Sequence, residues 1–185
     1  MPQPNWRDDL RDFRKLGRPR LFFGISAGCM DSMVNKYTAN KRLRSDDAYT
    51  PDGRPDMRPE YPSIVYTQIL KKLYPDVPVV LGGIEASMRR LSHYDYWQDR
   101  LKKSILCESG ADMLIYGMGE KPICELVRRL TALCDNQDGV ISSSDIHSPA
   151  LSSIPQTAYL TRKYESDEND ITLYSHEECL ADKKK

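Results

Sequence analysis

Two glutamates, Glu85 and Glu120, stand just after glycine-rich turns, and this placement could bring two carboxylates to one ligand. The turns contain Gly82 and Gly83 in the first case and Gly117 and Gly119 in the second. Paired carboxylates over one crevice can hold a hydroxyl-bearing ligand or act as general acid and base. Acidic residues also favour the first turn of a helix, where each contributes about 0.3–1 kcal/mol. From the residues alone, the two glutamates could either contact a ligand or only stabilise the helices that they begin.

Short apolar runs precede both turns and identify the elements that must position the glutamates. Residues 77–81 and 113–116 are rich in apolar side chains, and helical spacing follows each run, which is typical of buried parallel strands that feed crossover helices. A third run, residues 21–25, leads into Ser26 and Gly28. Ligands of open α/β sheets lie at the carboxyl ends of the strands, so these junctions are the predicted site. Its ligand-binding candidates are Ser26, Gly28, Gly82, Gly83, Glu85, Gly117, Gly119 and Glu120.

The predicted fold class is α/β, with an open, mostly parallel, doubly wound sheet. Apolar residues three and four apart predict helices around residues 6–13, 64–73, 84–106 and 123–133, and residues 157–160 are predicted as an edge strand. Polar connections are expected at 39–61 and 135–153. A chain of 185 residues fits one domain, which we place at residues 1–161. Residues 162–185 are acidic without apolar periodicity and are predicted to be a linker.

Charge and cysteine content narrow the class of protein. Lys plus Arg and Asp plus Glu both number 27, so there is no strong signal for a nucleic-acid partner. No apolar stretch approaches the ~20 residues that span a bilayer, and no leader is evident, so a cytoplasmic protein without a membrane partner is expected. Five dispersed cysteines predict free thiols, with Cys124 and Cys134 in the core and no metal site.

A basic and aromatic segment at residues 89–97 is the second candidate surface. Its side chains could stack on a nucleotide or an RNA base, or they could form a solvated helix edge with buried aromatics. With two residues of the polar 39–61 connection, they make up the docking or substrate-contact candidates, which are Arg44, Tyr49, Arg89, Arg90, His93, Tyr94 and Trp97.

Residues 145–150 come close to the D-x-H-x-x-G sequence with which cobalamin proteins supply a histidine to cobalt. Asp145 and His147 are present, but the closing glycine is replaced by Ala150. The segment also lies in a late serine-rich stretch and does not follow the first strand. Cobalamin is therefore not expected as a ligand coordinated by the protein.

Several segments together resemble the N-terminal region of the YgiQ-type radical SAM proteins. One of them is Arg89-Arg90-Leu91-Ser92-His93-Tyr94-Asp95-Tyr96-Trp97. The other matching segments are residues 12–24, 30–35, 37–41, 44–51, 77–87 and 116–120, and it is their combination that is specific. The resemblance implies an α/β domain similar to the cobalamin-binding fold, placed before a radical SAM barrel in a protein of unknown substrate.

In that barrel, the resemblance implies a C-x-x-x-C-x-x-C loop that holds a [4Fe–4S] cluster, on which S-adenosylmethionine is cleaved to a radical. This chain has no such triplet, so it is expected to bind no cofactor alone and to be inactive alone. The resemblance also implies a fragment truncated at both ends, whose sheet lacks its N-terminal edge and whose partner is the barrel of the same parent. Two alternatives stay open, a module for a cobalamin-like or nucleotide ligand and a docking surface for the barrel or another protein.

Overall fold

The computed structural model describes residues 3–136, 139–162, 164 and 167–182. Its strands are β1 Phe23–Ser26, β2 Val79–Gly82, β3 His93–Asp95, β4 Arg100–Lys102, β5 Met113–Ile115 and β6 Thr157–Ala158. Its α-helices are α1 Arg11–Arg14, α2 Ser32–Lys36, α3 Pro62–Leu73, α4 Gly83–Met88, α5 Ile105–Ser109, α6 Glu120–Asn136, α7 Pro149–Ser152 and α8 His176–Ala181. Two 3₁₀ turns, Pro51–Gly53 and Ser143–His147, lie within the segments predicted as loops.

The main sheet has the strand order β1-β2-β5-β6 and is not closed. β1, β2 and β5 run parallel, with Ile25 opposite Leu81 and Leu81 opposite Leu114, whereas β6 pairs with β5 in the antiparallel direction. The prediction of an open, mostly parallel α/β sheet is therefore confirmed. β1 lies at one edge, and no strand in the described part of the chain pairs with its outer side.

Helices cover both faces of this sheet because neighbouring strand residues point in opposite directions. Leu81 packs with Leu70 of α3 and Leu106 of α5 on one face. Val80 packs with Leu126 of α6 on the other face, where Ile146 and Leu151 of the 135–153 segment complete the core. The apolar stripes of α3 and α6 thus hold the strands in place from two sides, as expected for a doubly wound arrangement.

The predicted helix over residues 84–106 is wrong. Helix α4 ends at Met88, the antiparallel hairpin β3–β4 follows, and α5 begins only at Ile105. The Asp95 carboxylate accepts hydrogen bonds from the backbone N–H groups of Trp97 and Gln98 at 2.9 and 3.1 Å, which stabilises a turn where a helix would need those groups. Leu91, Tyr94 and Tyr96 are exposed, so their spacing does not mark a core-facing stripe.

The segment predicted as a linker contains the short helix α8, which begins with a reciprocal capping box between Ser175 and Glu178. One further expectation, on the cysteines, needs correction. Cys134 is buried as expected, but Cys124 is exposed because it lies on the outer side of α6. Within the residues that the structure describes, no helix has the length and apolar character needed to cross a membrane.

Candidate functional site

The carboxyl ends of β1, β2 and β5 border one cleft with a volume of about 450 Å³, which we call the glycine cleft. Six of the eight predicted ligand-binding residues line it, namely Ser26, Gly82, Gly83, Gly117, Gly119 and Glu120. Their convergence follows from the parallel order of the three strands, which brings all three strand-to-helix junctions to one end of the sheet.

Glycine is required at two positions of this cleft. Gly83 has a φ of +82°, and a Cβ there would collide with the Ser26 hydroxyl oxygen. Gly117 has a φ of +71°, and a Cβ there would come within 3.0 Å of the Gln156 side-chain nitrogen. A residue with a Cβ would strain the backbone at both positions, and at position 83 the Ser26 side chain would also have to move. The glycines therefore let neighbouring segments approach closely beneath the cleft.

Gly28 does not line the glycine cleft, although it lies next to it. Its N–H donates to the Ser26 hydroxyl oxygen at 3.2 Å, which tightens the turn after β1. Gly28 instead borders a separate apolar groove of about 380 Å³ along β1, together with Tyr49 and Phe13. Ser26 lines both depressions and so lies on the ridge between them.

Glu85 is fully buried and does not reach the glycine cleft, so the expectation that it shares a crevice with Glu120 is wrong. Its carboxylate accepts hydrogen bonds from the Ser63 N–H at 3.1 Å and from both the N–H and the hydroxyl of Ser32. Ser32 is the first residue of α2, and Ser63 is the second residue of α3. One side chain therefore satisfies the N-terminal donors of two helices. Glu120 is exposed at the cleft.

A second pocket, of about 410 Å³, lies against the β3–β4 hairpin, and we call it the hairpin pocket. Four of the docking candidates line it, namely Arg89, His93, Tyr94 and Trp97. Arg89 pairs there with the buried carboxylate of Asp31, which also caps the N-terminus of α2. The pocket thus joins the segment after β1 to the hairpin that follows α4.

His93 has one bonded and one unbonded ring nitrogen. Its Nδ1 lies 3.1 Å from the Leu91 carbonyl oxygen, whereas its buried Nε2 has no hydrogen-bond partner among the described residues. Burial lowers the pKa of His93, and the nearby cations Arg89 and Lys102 lower it further. At neutral pH the ring is therefore uncharged, with the proton on Nδ1 and a free lone pair on Nε2.

The other three docking candidates lie elsewhere. Arg44 donates to the Val34 carbonyl oxygen at 3.2 Å, and the Arg90 guanidinium lies 4.9 Å from the Tyr116 ring centre. The Tyr49 hydroxyl is 2.9 Å from the Cys29 sulfur. These three residues therefore do not line the hairpin pocket.

Comparison with known proteins identifies the family of this chain. The family model described as Radical SAM N-terminal matches residues 1–185. The chain belongs to this family. It is 75% identical to a UPF0313 protein of Bacteroides thetaiotaomicron and 66% identical to one of Porphyromonas gingivalis, and both alignments cover the whole chain. It is also 56% identical, over 69% of its length, to the UPF0313 protein YgiQ of Escherichia coli.

The chain spans only part of each relative. It covers 30% of the Bacteroides protein, 28% of the Porphyromonas protein and 17% of the Escherichia coli protein. The comparison with solved structures found no match. The resemblance to YgiQ-type radical SAM proteins is thereby confirmed, while the activity of the whole protein is a matter for proposal.

The cysteines of this chain do not fit an iron–sulfur cluster. Cys29, Cys107 and Cys124 are exposed, Cys134 is buried and Cys179 is partly exposed. Among the residues that the structure describes, no three His, Cys, Asp or Glu side chains come together in an arrangement that could hold a metal ion.

Three polar residues that line the hairpin pocket were not among the candidates from sequence. Tyr96 and Asp31 both line it, and Asp95, also part of the pocket wall, fixes the adjoining turn and accepts the Tyr61 hydroxyl at 2.6 Å. Asp31 also caps the N-terminus of α2. The signal for a turn was the Asp95-Tyr96-Trp97-Gln98 order, because an aspartate commonly bonds the backbone two residues further on.

Proposed function

We propose that this chain is the N-terminal accessory domain of a radical SAM enzyme, and that its glycine cleft faces the part of the parent that supplies the cluster and S-adenosylmethionine. The observation that carries this proposal is a set of exposed apolar side chains on the segments that follow β2 and β5, namely Ile84, Met88, Met118 and Ile123, of which Ile123 lines the cleft. Exposed apolar surface is a feature of interaction sites.

The length of the relatives supports this choice of occupant. More than two thirds of the Bacteroides and Porphyromonas proteins lie outside the aligned region, so the parent has ample chain to cover the surface. Met88 and Met118 are 64% and 75% exposed, and methionine adapts its shape to apolar partners. In this arrangement Ser26 and Glu120 offer polar contacts to a substrate of the whole enzyme. Radical generation belongs to the rest of the parent.

A direct test compares the isolated chain with the full-length parent. After anaerobic treatment with iron, sulfide and reductant, the parent should cleave S-adenosylmethionine to 5′-deoxyadenosine, and the isolated chain should not. Cleavage by the isolated chain would overturn the proposal.

Hydrogen exchange tests the location of the contact. Residues 82–88 and 117–123 should exchange more slowly in the full-length parent than in the isolated chain. Met118→Asp should weaken that protection, whereas Val140→Asp, an exposed apolar residue outside the cleft, should leave it unchanged. Equal exchange in both proteins would contradict the proposed face.

A second candidate function is a ligand-binding module that acts without the barrel. The observation that favours it is the size of the glycine cleft, which lies within the range of small-molecule sites. No histidine lines this cleft, so a cobalamin there would lack a protein ligand to cobalt. Equilibrium dialysis of the isolated chain against hydroxocobalamin, S-adenosylmethionine and common nucleotides tests this second function. Binding of one of them would support it, and no binding of any would contradict it.

A further inference from the structure

Residues 171–174 form an apolar stretch between the acidic part of the tail and helix α8, and their backbone runs without a helix, turn or bend. We propose that this stretch adds as a β-strand to a sheet in the part of the parent protein that lies outside this chain. The inference draws on the greater length of the relatives. It depends neither on radical chemistry nor on the glycine cleft.

Two side chains of the stretch are unusually exposed. Ile171 is 87% exposed, the highest value among the large apolar residues that the structure describes, and Leu173 is 61% exposed. Contact of apolar surface with water is unfavourable, and a connection that stays in water needs only polar side chains. A pair of this kind in a segment predicted as a linker indicates a surface that the parent covers.

The spacing of these side chains indicates a strand. Side chains two residues apart in extended backbone lie on the same side, so Ile171 and Leu173 share one side and Thr172 lies on the other. Isoleucine and threonine are β-branched, which favours extended backbone. In the described part of the chain, the stretch belongs to neither sheet. Such a segment can pair its backbone with an open sheet edge while alternate side chains pack on the partner's apolar surface.

Helix α8 holds one end of the stretch in place. The helix follows the stretch directly and begins with its capping box. It contacts both ends of the hairpin, because the Ser92 hydroxyl oxygen lies 3.2 Å from His176 Nδ1 and Lys103 Nζ lies 2.7 Å from a Glu177 carboxylate oxygen. A segment that is already fixed at one end loses less conformational freedom when it docks. The C-terminal end of the stretch is therefore held near the hairpin before a partner strand arrives.

The length of the relatives and the charges around the stretch both favour the parent as the occupant. More than two thirds of the Bacteroides and Porphyromonas proteins lie outside the aligned region, and both alignments include residues 171–174. Carboxylates flank the stretch on both sides, on Asp167, Glu168 and Asp170 before it and on Glu177 and Glu178 after it. Two copies of the stretch would therefore oppose like charges in either strand direction, whereas a partner strand flanked by Lys or Arg would be attracted.

Hydrogen exchange of the peptide that covers residues 171–173 tests the proposal. Its amides should exchange about tenfold or more slowly in the full-length parent than in the isolated chain, because strand pairing protects backbone N–H groups. Residues 117–123 are read in the same experiment, so failure of this contact and failure of the glycine-cleft contact are distinguishable. Equal exchange of residues 171–173 in the two proteins would overturn the proposal. Protection in the isolated chain that rises with its concentration would identify a second copy as the occupant and would also overturn it.

Substitutions in the full-length parent test the strand itself. Ile171→Asp and Leu173→Asp should each return the exchange to within about threefold of the isolated chain, because a charge replaces an apolar contact. Thr172→Asp adds the same charge to the opposite side of the stretch and is the matched control, which should keep the slow exchange. Circular dichroism of the same variants of the isolated chain should match the wild type, since all three residues are exposed. Equal loss of protection in all three variants would overturn the strand, because alternate side chains would then make no difference.

Discussion

Glu85 and Glu120 occupy similar places in the sequence, each just past a glycine turn, yet the fold uses them differently. The first turn of α4 directs the Glu85 carboxylate into the interior, where it meets Ser32 and Ser63. The first turn of α6 leaves Glu120 in solvent at the glycine cleft. At the residue scale, identical side chains therefore have separate roles, one in stability and one at a surface that can meet ligands.

Substituting both glutamates should separate these roles. Glu85→Ala leaves the N-terminal donors of α2 and α3 unsatisfied in the interior and should lower the free energy of unfolding by about 3 kcal/mol or more. Glu120→Ala removes one exposed charge from a helix first turn and should cost less than about 1 kcal/mol. Urea unfolding followed by circular dichroism measures both. Similar losses for the two variants would contradict the assigned role of Glu85.

His93 should make stability depend on pH. Burial holds its pKa in the folded chain below the value of about 6.5 that it has when unfolded. Between those two values the unfolded chain binds a proton that the folded chain does not, so stability falls as the pH is lowered through this window.

His93→Gln removes this contribution and serves as the reference. The wild-type chain should lose more unfolding free energy than His93→Gln between about pH 7.5 and about pH 5.5. Denaturant midpoints at the two pH values measure the difference. Parallel pH profiles for the two proteins would show that the His93 ring is not held neutral.

At the scale of elements, periodicity predicted helices correctly where the apolar stripe faces the sheet. α3 and α6 satisfy this condition, because Leu70 and Leu126 lie in the two cores. Over residues 84–106 the same spacing was misleading, since the bonds of Asp95 to nearby backbone N–H groups favour a hairpin. Local side-chain to backbone bonds of this kind leave only a short signal in sequence, and apolar spacing obscured it.

Helix α8 was missed because its six residues carry no apolar stripe, although its capping box was readable. It contacts the hairpin through Lys103 and Glu177 at 2.7 Å and through Ser92 and His176 at 3.2 Å. The Lys103 and Glu177 side chains are largely exposed. We propose that this segment lies outside the folded domain, whose boundary we keep after residue 161.

Deletion of residues 171–185 tests that boundary. Exposed ion pairs contribute about 0–1 kcal/mol, so the melting temperature should fall by no more than about 4 °C. Differential scanning calorimetry of the shortened and complete chains measures the change. A Lys103→Met variant of the complete chain should behave similarly, and a much larger loss on deletion would place α8 within the domain.

At the scale of the whole molecule, the sequence predicted the three parallel strands and that their carboxyl ends meet, because each of these runs is short, apolar and followed by a glycine turn. It did not predict that β2 lies between β1 and β5, nor that β6 is antiparallel, since strand order depends on contacts between distant segments. The hairpin pocket could not be predicted from the sequence for the same reason. Asp31 and Trp97 are far apart in the chain and become neighbours only through packing.

In the described part of the chain no strand pairs with the outer side of β1, which has a practical consequence for anyone who studies the isolated chain. An unpaired edge strand presents backbone N–H and C=O groups to any extended peptide, including another molecule of the same protein. At high protein concentration the isolated chain should therefore self-associate through this edge strand, while at low concentration it should stay monomeric. Light scattering across a dilution series would show which regime a given preparation is in before its affinities are interpreted.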